Sequence, residues 1–269
     1  MNDWIDSTLW DKFAYKFLIS LAKSKMAFEV VTENAYSPAE GKPIIFAANH
    51  SNSFDVPDAV KATGRHIIPL VGKQRLGLDD RFFFRLNGVI YVDRFDKRSG
   101  AAVKQKILRQ LKTRTPVCWY PEGTWNLTDN LLMLNMKWGI IDVASAADAQ
   151  IIPLALDYDR DTMVCHALFG EPILGRALAD KAEGIRTLRD AMASLRYELM
   201  EKYHRIDRAD ADLAKLKNEI MTAIPEYPPL EPEKEEKVVF RPYETVATMP
   251  DTIRPTKQNA FLFNKRLNG

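Results

Sequence analysis

Short apolar runs alternate with helical stretches along most of this chain, and that alternation limits the folds it can adopt. The runs are four to seven residues long, rich in β-branched and aromatic side chains, and bounded by Pro, Gly or Asn. They cover residues 43–48, 67–71, 88–92, 117–120, 151–156 and 163–169, and helical periodicity is found at 56–63, 100–112 and 137–147. This order predicts an α/β fold: a single domain with a central mixed, largely buried sheet flanked by helices.

The two ends of the chain differ from the middle. In residues 8–30, Trp10, Phe13, Phe17 and Leu21 recur at helical spacing, with lysines elsewhere around the helix. This predicts an amphipathic helix, which either packs on the core or lies on a membrane surface. Seven of the 15 prolines fall between residues 225 and 255. We predict a membrane-surface helix at 1–35, the α/β domain at 36–224 with helical residues from 184 to 223, and a Pro-rich, charged tail at 225–269.

Basic residues are concentrated in one part of the sequence. Residues 61–114 contain 14 basic and 4 acidic side chains, a net charge of +10, whereas the rest of the chain carries −8. The total of +2 hides this asymmetry. A basic block of this kind favours an anionic partner, such as nucleic acid, a phosphate-bearing substrate or an anionic membrane surface, although a solvated helix face would give the same counts.

The first candidate for chemistry is the pair His50 and Asp55, which follows the apolar run at 43–48 in the sequence Asn-His-Ser-Asn-Ser-Phe-Asp. A histidine exchanges a proton near neutral pH, and a carboxylate that accepts its ring N–H fixes the tautomer and raises its basicity. A strand-to-helix turn, with Asn52 or Ser53 as the helix N-cap, would bring the aspartate back to the histidine. The spacing alone is weak support, because it also arises by chance.

The second candidate is the sequence Tyr-Pro-Glu-Gly-Thr-Trp-Asn at residues 120–126, which ends the run at 117–120. Glu122 offers a carboxylate, Gly123 allows close backbone approach and Thr124 adds a hydroxyl. These groups suit a polyol or a phosphate-bearing substrate. As an isolated sequence it is equally typical of a simple turn.

Four blocks in this order resemble the signature of the glycerolipid acyltransferases, the 1-acylglycerol-3-phosphate O-acyltransferase family. The blocks are His-x4-Asp at 50–55, Gly-Val-Ile-Tyr-Val-Asp-Arg at 88–94, Tyr-Pro-Glu-Gly-Thr at 120–124 and Ile-Ile-Pro-Leu-Ala at 151–155. Lys73, upstream of the second block, and the sequence Lys137-Trp-Gly, which follows the third, are similar to further positions of the family pattern. The resemblance covers roughly residues 40–170, the catalytic core.

The resemblance implies a role for each matched residue. His50, oriented by Asp55, would be the general base on an acceptor hydroxyl that attacks the thioester of acyl-CoA or acyl carrier protein. Arg94 would bind the acceptor's phosphate, and the remaining substrate-binding positions would be Asn49, Lys73, Glu122, Gly123, Thr124, Trp125 and Lys137. The acceptor would resemble a lysophospholipid. We expect no metal and no cofactor beyond the acyl donor, because the other histidines show no metal-ligand spacing.

Trp125 departs from the family pattern. The third block commonly continues Glu-Gly-Thr-Arg-Ser, whereas here it continues Glu-Gly-Thr-Trp-Asn. An aromatic ring therefore replaces an arginine that would bind phosphate. Either Lys73 or Lys137 compensates for it, or the acceptor is a lipid other than a glycerophosphate, with a headgroup that packs against Trp125.

The substrates of such an enzyme are amphiphiles, so the sequence also predicts contact with an anionic membrane surface. No stretch approaches the roughly 18 to 20 apolar residues that cross a bilayer, and the first residues do not form a signal peptide. We expect a peripheral protein on the cytoplasmic face of a membrane, with the segment 8–30 and the cluster Arg-Phe-Phe-Phe-Arg at 81–85 as candidate anchors, although the phenylalanines at 82–84 suit a buried core almost as well. The basic block at 61–114 would then be a phosphate-binding wall together with a membrane-facing surface. The alternatives are a non-catalytic membrane-binding protein of the same fold and, as a further class, a nucleic-acid-binding protein, for which no motif is present.

Overall fold

The structure is a computed structural model, and it describes residues 13, 15–17, 19–20, 27–51, 54–72, 88–92, 99–123, 125–126, 132–159, 161–178 and 180–203. Its strands are β1 (Glu29–Thr32), β2 (Ile44–Ala48), β3 (Ile68–Gly72), β4 (Ile90–Val92), β5 (Val117–Trp119), β6 (Gln150–Asp159), β7 (Val164–Phe169) and β8 (Ile173–Leu174). Its helices are α1 (Asp55–Thr63), α2 (Ser99–Lys112), α3 (Gly139–Ala146) and α4 (Lys181–Tyr203), with a 3₁₀ turn at Gly175–Leu178.

The described strands form one mixed sheet. Its order is β1-β7-β6-β2-β5-β3-β4, and β8 pairs with β6 outside this sequence. The strands β6, β2, β5, β3 and β4 run parallel, whereas β7 is antiparallel to β6. The predicted α/β class with a mixed, buried sheet between helices is confirmed, and each of the six apolar runs contains a strand.

Helices cover both faces of this sheet. On β2, Ile45 points into a cluster that includes buried side chains of α2, α3 and α4, whereas Phe46 points into a second cluster with α1. Both side chains are fully buried. Alternate residues of one strand therefore face two separate apolar layers, as expected for a sheet that is covered on both sides.

The N-terminal prediction is partly wrong. Glu29–Thr32 forms strand β1, which pairs in parallel with β7, so a helix cannot extend to residue 30 or to residue 35. The β-branched pair Val30 and Val31 favours a strand, and the partner β7 supplies the hydrogen bonds. Residues 13, 15–17, 19 and 20 are helical. The tail at 225–269 and the predicted helical residues 204–223 lie outside the described residues.

The carboxyl ends of the parallel strands share one edge of the sheet. The loops after β2 and β5, which carry the two sequence motifs, leave from this edge side by side because β2 and β5 are neighbours. Strand β6 is parallel to β2 and continues beyond it: Leu154 pairs with Ala48, and β6 then runs on to Asp159. Ligands in open α/β sheets bind at such an edge. None of the described helices is long and apolar enough to cross a membrane.

Candidate active site

Asn49 fixes the direction in which the chain leaves β2. Its side chain is fully buried, its Nδ2 donates to the Leu156 carbonyl at 3.0 Å, and its Oδ1 accepts the Leu156 N–H at 2.7 Å. The side-chain amide of Asn49 thus bonds the backbone of β6 in the way that a neighbouring strand would, just beyond the end of β2. A contact with substrate, as predicted for Asn49, would require its side chain to leave both bonds.

His50 and Asp55 meet as the sequence predicts. His50 Nδ1 lies 2.7 Å from Asp55 Oδ2, and the histidine side chain is 23% exposed whereas the aspartate is fully buried. The N-cap prediction is wrong: Phe54 is the cap residue and its side chain caps nothing, while Asp55 itself accepts the Ser51 N–H at 2.7 Å. A carboxylate can only accept, so Nδ1 carries the proton and Nε2 is the nitrogen available as a base.

Two further groups lie behind this pair. Tyr158, on the extension of β6, donates its hydroxyl to Asp55 Oδ1 at 2.6 Å. Asp58, one helical turn after Asp55, is fully buried, and both of its oxygens lack a hydrogen-bond partner among the described residues. Burial and, to a lesser extent, the neighbouring Asp55 raise the pKa of Asp58 to about 8, although the Tyr158 hydroxyl acts in the opposite direction. The site therefore contains two carboxyl groups whose environments differ.

Glu122 ties the two motif loops together. Its Oε1 accepts the backbone N–H of His50 at 3.2 Å and its Oε2 accepts that of Leu134 at 2.7 Å, and the residue is only 1% exposed. Burial raises the pKa of Glu122 to about 7, although the Leu134 N–H and the guanidinium of Arg196 act in the opposite direction. In this arrangement Glu122 holds the loop of His50 in place. Its predicted contact with an acceptor would compete with these backbone bonds.

Gly123 and Lys137 lie next to each other in the same loop. Gly123 has φ +75°, a conformation that favours glycine, and a Cβ there would lie 3.4 Å from Lys137 Cε. The Lys137 N–H donates to the Pro121 carbonyl at 2.8 Å. The aliphatic part of the lysine therefore covers Gly123, and the structure brings together two of the predicted substrate-binding residues.

Aromatic rings flank His50. Its ring centroid lies 4.5 Å from that of Tyr120 and 5.5 Å from that of Trp125, which meets it edge-on at 63°. The Asn126 N–H also donates to the His50 carbonyl at 2.6 Å, which fixes the Trp125 loop to the histidine. The residue that departs from the family pattern is thus directly beside the candidate base.

Three predicted site residues, Lys73, Arg94 and Thr124, lie outside the described residues. The strands that precede the first two, β3 and β4, end at the same edge as β2, at Gly72 and Val92. Lys73 is the next residue after β3, and Arg94 is the second after β4.

The described basic residues of the 61–114 block do not all lie at the edge of the sheet that carries the motif loops. Helix α1 begins beside His50 and returns to the opposite edge of the sheet, so Lys61 in its last turn lies away from the site. The cations of α2, including Arg109 and Lys112 in its last turn, lie over the other face of the sheet. The positive charge of these residues is divided between two faces.

Sequence reasoning missed Tyr158, Asp58 and Arg196. Arg196 on α4 donates to the carbonyl of Leu132, two residues before the Leu134 N–H that binds Glu122, and so links α4 to the loop of His50. For Tyr158 a signal was present, because residues 154, 156 and 158 alternate with the period of a strand. For Asp58 the signal was its spacing of three from Asp55, which places both carboxyl groups on one side of a helix.

Comparison with known proteins finds similarity to acyltransferases. Residues 28–157 match the family model described as Acyltransferase. A 1-acyl-sn-glycerol-3-phosphate acyltransferase of Chlamydomonas reinhardtii is 27% identical over 128 residues, which cover 44% of this chain and 35% of the algal protein. The Saccharomyces cerevisiae 1-acyl-sn-glycerol-3-phosphate acyltransferase is 26% identical over 126 residues, 43% of this chain and 39% of the yeast protein. The match therefore spans less than half the length of either relative.

A solved structure shares the fold. The crystal structure of the 1-acyl-sn-glycerophosphate acyltransferase PlsC from Thermotoga maritima superimposes with a TM-score of 0.56 and 16% sequence identity, over 77% of this chain and 86% of that chain. At this level of identity the likeness shows that the fold is shared.

Proposed function

Because residues 28–157 form a domain of the acyltransferase family, we propose that this protein transfers a fatty acyl group from acyl-CoA or acyl carrier protein to the hydroxyl of a lysophospholipid-like acceptor. The acceptor is of the 1-acylglycerol-3-phosphate type. The observation that carries the proposal is the contact of 2.7 Å between His50 Nδ1 and the buried Asp55 carboxylate, at the edge of the sheet where ligands bind.

The reaction needs one proton to move twice. His50 Nε2 takes the proton of the acceptor hydroxyl as its oxygen attacks the thioester carbonyl. When the C–S bond breaks, the thiolate leaves and receives that proton from the imidazolium. Asp55 keeps its negative charge and stabilises the imidazolium between the two steps. General base catalysis of this kind contributes about 10²- to 10⁴-fold to a rate, and the alignment of two bound substrates adds to it.

Phosphate binding in this proposal depends on three cationic residues, Lys137, Lys73 and Arg94. Lys137 is described beside Gly123. Lys73 and Arg94 are assigned from the sequence, and the ends of β3 and β4 support their assignment. A guanidinium suits two-point binding of a phosphate, whereas a lysine acts as a point charge.

Trp125 supports a second candidate acceptor. Its ring is 5.5 Å from His50, where the family pattern has an arginine, so the acceptor hydroxyl would approach the base past an apolar, flat surface. Such a surface suits a sugar, an amide or another headgroup without phosphate. Acyl transfer and the role of His50 are the same for either acceptor.

The proposal places the protein peripherally on the cytoplasmic face of a membrane, where both amphiphilic substrates are found. Phe13 and Phe17, in the helical segment that precedes β1, are 63% and 48% exposed, whereas Tyr15 and Ile19 pack on the core. Two exposed phenylalanines one turn apart can insert at the depth of lipid headgroups.

The experiment is incubation of the full chain with labelled palmitoyl-CoA and lysolipids that differ only in headgroup. We expect an acylated product, identified by mass, and one mole of thiol released per mole of product. Phosphorylated lysolipids should be preferred if the first acceptor is correct, and unphosphorylated ones if Trp125 determines the choice. Release of thiol without any acylated lipid would contradict the proposal. The same panel with palmitoyl acyl carrier protein identifies the donor.

A further inference from the structure

Asp58 is a buried polar group and Tyr158 a half-buried one next to the candidate base, and the mechanism above does not use them. Asp58 is 0% exposed, and Tyr158 joins the apolar cluster under α1 with its hydroxyl on Asp55. Buried carboxyl and hydroxyl groups are costly unless they have a structural or chemical role. Their position indicates what this role is.

Tyr158 is one of the donors that hold Asp55 in place. Oδ2 of Asp55 accepts the Ser51 N–H and faces His50 Nδ1, both at 2.7 Å, and Oδ1 accepts the Tyr158 hydroxyl at 2.6 Å. Without the tyrosine hydroxyl, Oδ1 would lose a short hydrogen bond in a fully buried position. The carboxylate could then rotate and turn Oδ2 away from the imidazole. Tyr158 is held there by β6, which extends past the end of β2.

Asp58 lies in a setting that favours an uncharged carboxyl group. Among the described residues, those that interact with it electrostatically include Asp55 in its own helix, Tyr120 after β5 and Cys165 on β7, and none of these is a cation. The Tyr158 hydroxyl on β6 lowers the pKa of Asp58, but it donates to Asp55, and neither oxygen of Asp58 has a hydrogen bond of normal geometry among the described residues. Because the tyrosine proton is already donated to Asp55, an ionised Asp58 would lack a full hydrogen bond in an apolar interior, and desolvation keeps the proton on Asp58. Asp55, which accepts the Ser51 N–H and the Tyr158 hydroxyl, holds the negative charge. Its raised pKa agrees with this assignment.

Resting on the proposed function, we propose that Tyr158 and Asp58 set the orientation and charge of the Asp55 carboxylate. Tyr158 is a positioning residue that directs Oδ2 toward His50. Asp58 is a neutral acid that leaves Asp55 as the single anion behind the base. This balance matters because the base must release its proton again: two carboxylates behind His50 would hold the imidazolium and slow proton return to the leaving thiolate.

The test of Tyr158 is the variant Tyr158→Phe in the full chain, which removes only the hydroxyl. We expect kcat to fall about tenfold, the loss typical of a hydrogen bond to a charged group, with KM unchanged for both substrates. The matched control is Tyr203→Phe, which removes a tyrosine bond of the same length, 2.6 Å, to Glu33 beside His166. This control should keep its kcat. An unchanged kcat in Tyr158→Phe, or equal losses in both variants, would overturn the assignment.

Two readouts do not depend on acyl transfer. The NMR signal of the His50 Nδ1–H, shifted downfield by its bond to a carboxylate, should weaken in Tyr158→Phe and persist in Tyr203→Phe. Infrared difference spectra of wild type minus Asp58→Asn at neutral pH should show the carbonyl stretch of a protonated carboxylic acid. A carboxylate band in its place would overturn the neutral state of Asp58. If the wild type transfers no acyl group, the proposed function fails, while these two spectra still decide the inference about Asp58 and Tyr158.

Discussion

The variant Asp58→Asn should gain stability relative to the wild type as the pH rises. In the native state the pKa of Asp58 is raised from 3.8 to about 8, so between these values the native state holds a proton that the unfolded chain has lost. Stability therefore decreases as pH increases through this range, by about 1.4 kcal/mol per pH unit. From about pH 4 to about pH 7 the wild type should lose about 4 kcal/mol of unfolding free energy through this group. Asparagine cannot ionise and should be spared that loss.

The measurement is urea unfolding followed by tryptophan fluorescence at a series of pH values, with the difference between variant and wild type as the result. Other titrating groups contribute equally to both proteins, so their effects cancel in this difference. Examples are Glu122, whose pKa is raised to about 7, and Glu33, whose pKa is lowered to about 2 by its contacts with Lys202, Tyr203 and His166. Asp148→Asn, at an exposed ion pair with Lys42, is the control and should change stability by less than about 1 kcal/mol at every pH. A difference for Asp58→Asn that is constant with pH would refute the reasoning.

Three other variants test the site and its surroundings. Gly123→Ala should destabilise the protein by about 1 kcal/mol in urea unfolding, because φ is +75° there; unchanged stability would mean that the loop adopts another conformation. Trp125→Arg should lower KM for a phosphorylated acceptor about tenfold relative to an unphosphorylated one, as measured by initial rates. An unchanged preference would mean that Trp125 does not determine which acceptor binds. The double variant Phe13→Ser with Phe17→Ser should bind anionic liposomes about tenfold more weakly in co-sedimentation, whereas Met200→Ser on α4 should not; equal pelleting of all three proteins would contradict a membrane role for this helix.

The sequence predicts the fold class well because strands and helices alternate with distinct periods. All six apolar runs contain strands, and the pair His50 and Asp55 is close in the chain, so a single turn is enough to join it. Strand β1 was not predicted because Val30 and Val31 lie at the end of a sequence pattern with helical periodicity. Its identity as a strand depends on β7, more than 130 residues later in the chain.

The supporting contacts of the site could not be predicted for the same reason. Asn49 binds Leu156, and Tyr158 binds Asp55, across more than 100 residues of sequence. Asn49 and Glu122 were predicted to bind substrate, a prediction that no observation here tests; the structure shows both side chains engaged with backbone groups. A motif identifies which residues are used, whereas only tertiary structure shows which of their atoms are already occupied.

The central claim is that His50 is the base of an acyl transfer reaction. The most direct measurement is the rate at which labelled acyl-CoA and a lysolipid acceptor give acylated product with wild type, His50→Ala and His166→Gln, all checked for cooperative unfolding. His166 is the matched control because it also pairs with a carboxylate, 2.8 Å from Glu33. We predict that His50→Ala loses at least about 100-fold in rate and that His166→Gln retains it. Near-normal turnover by folded His50→Ala would contradict the account.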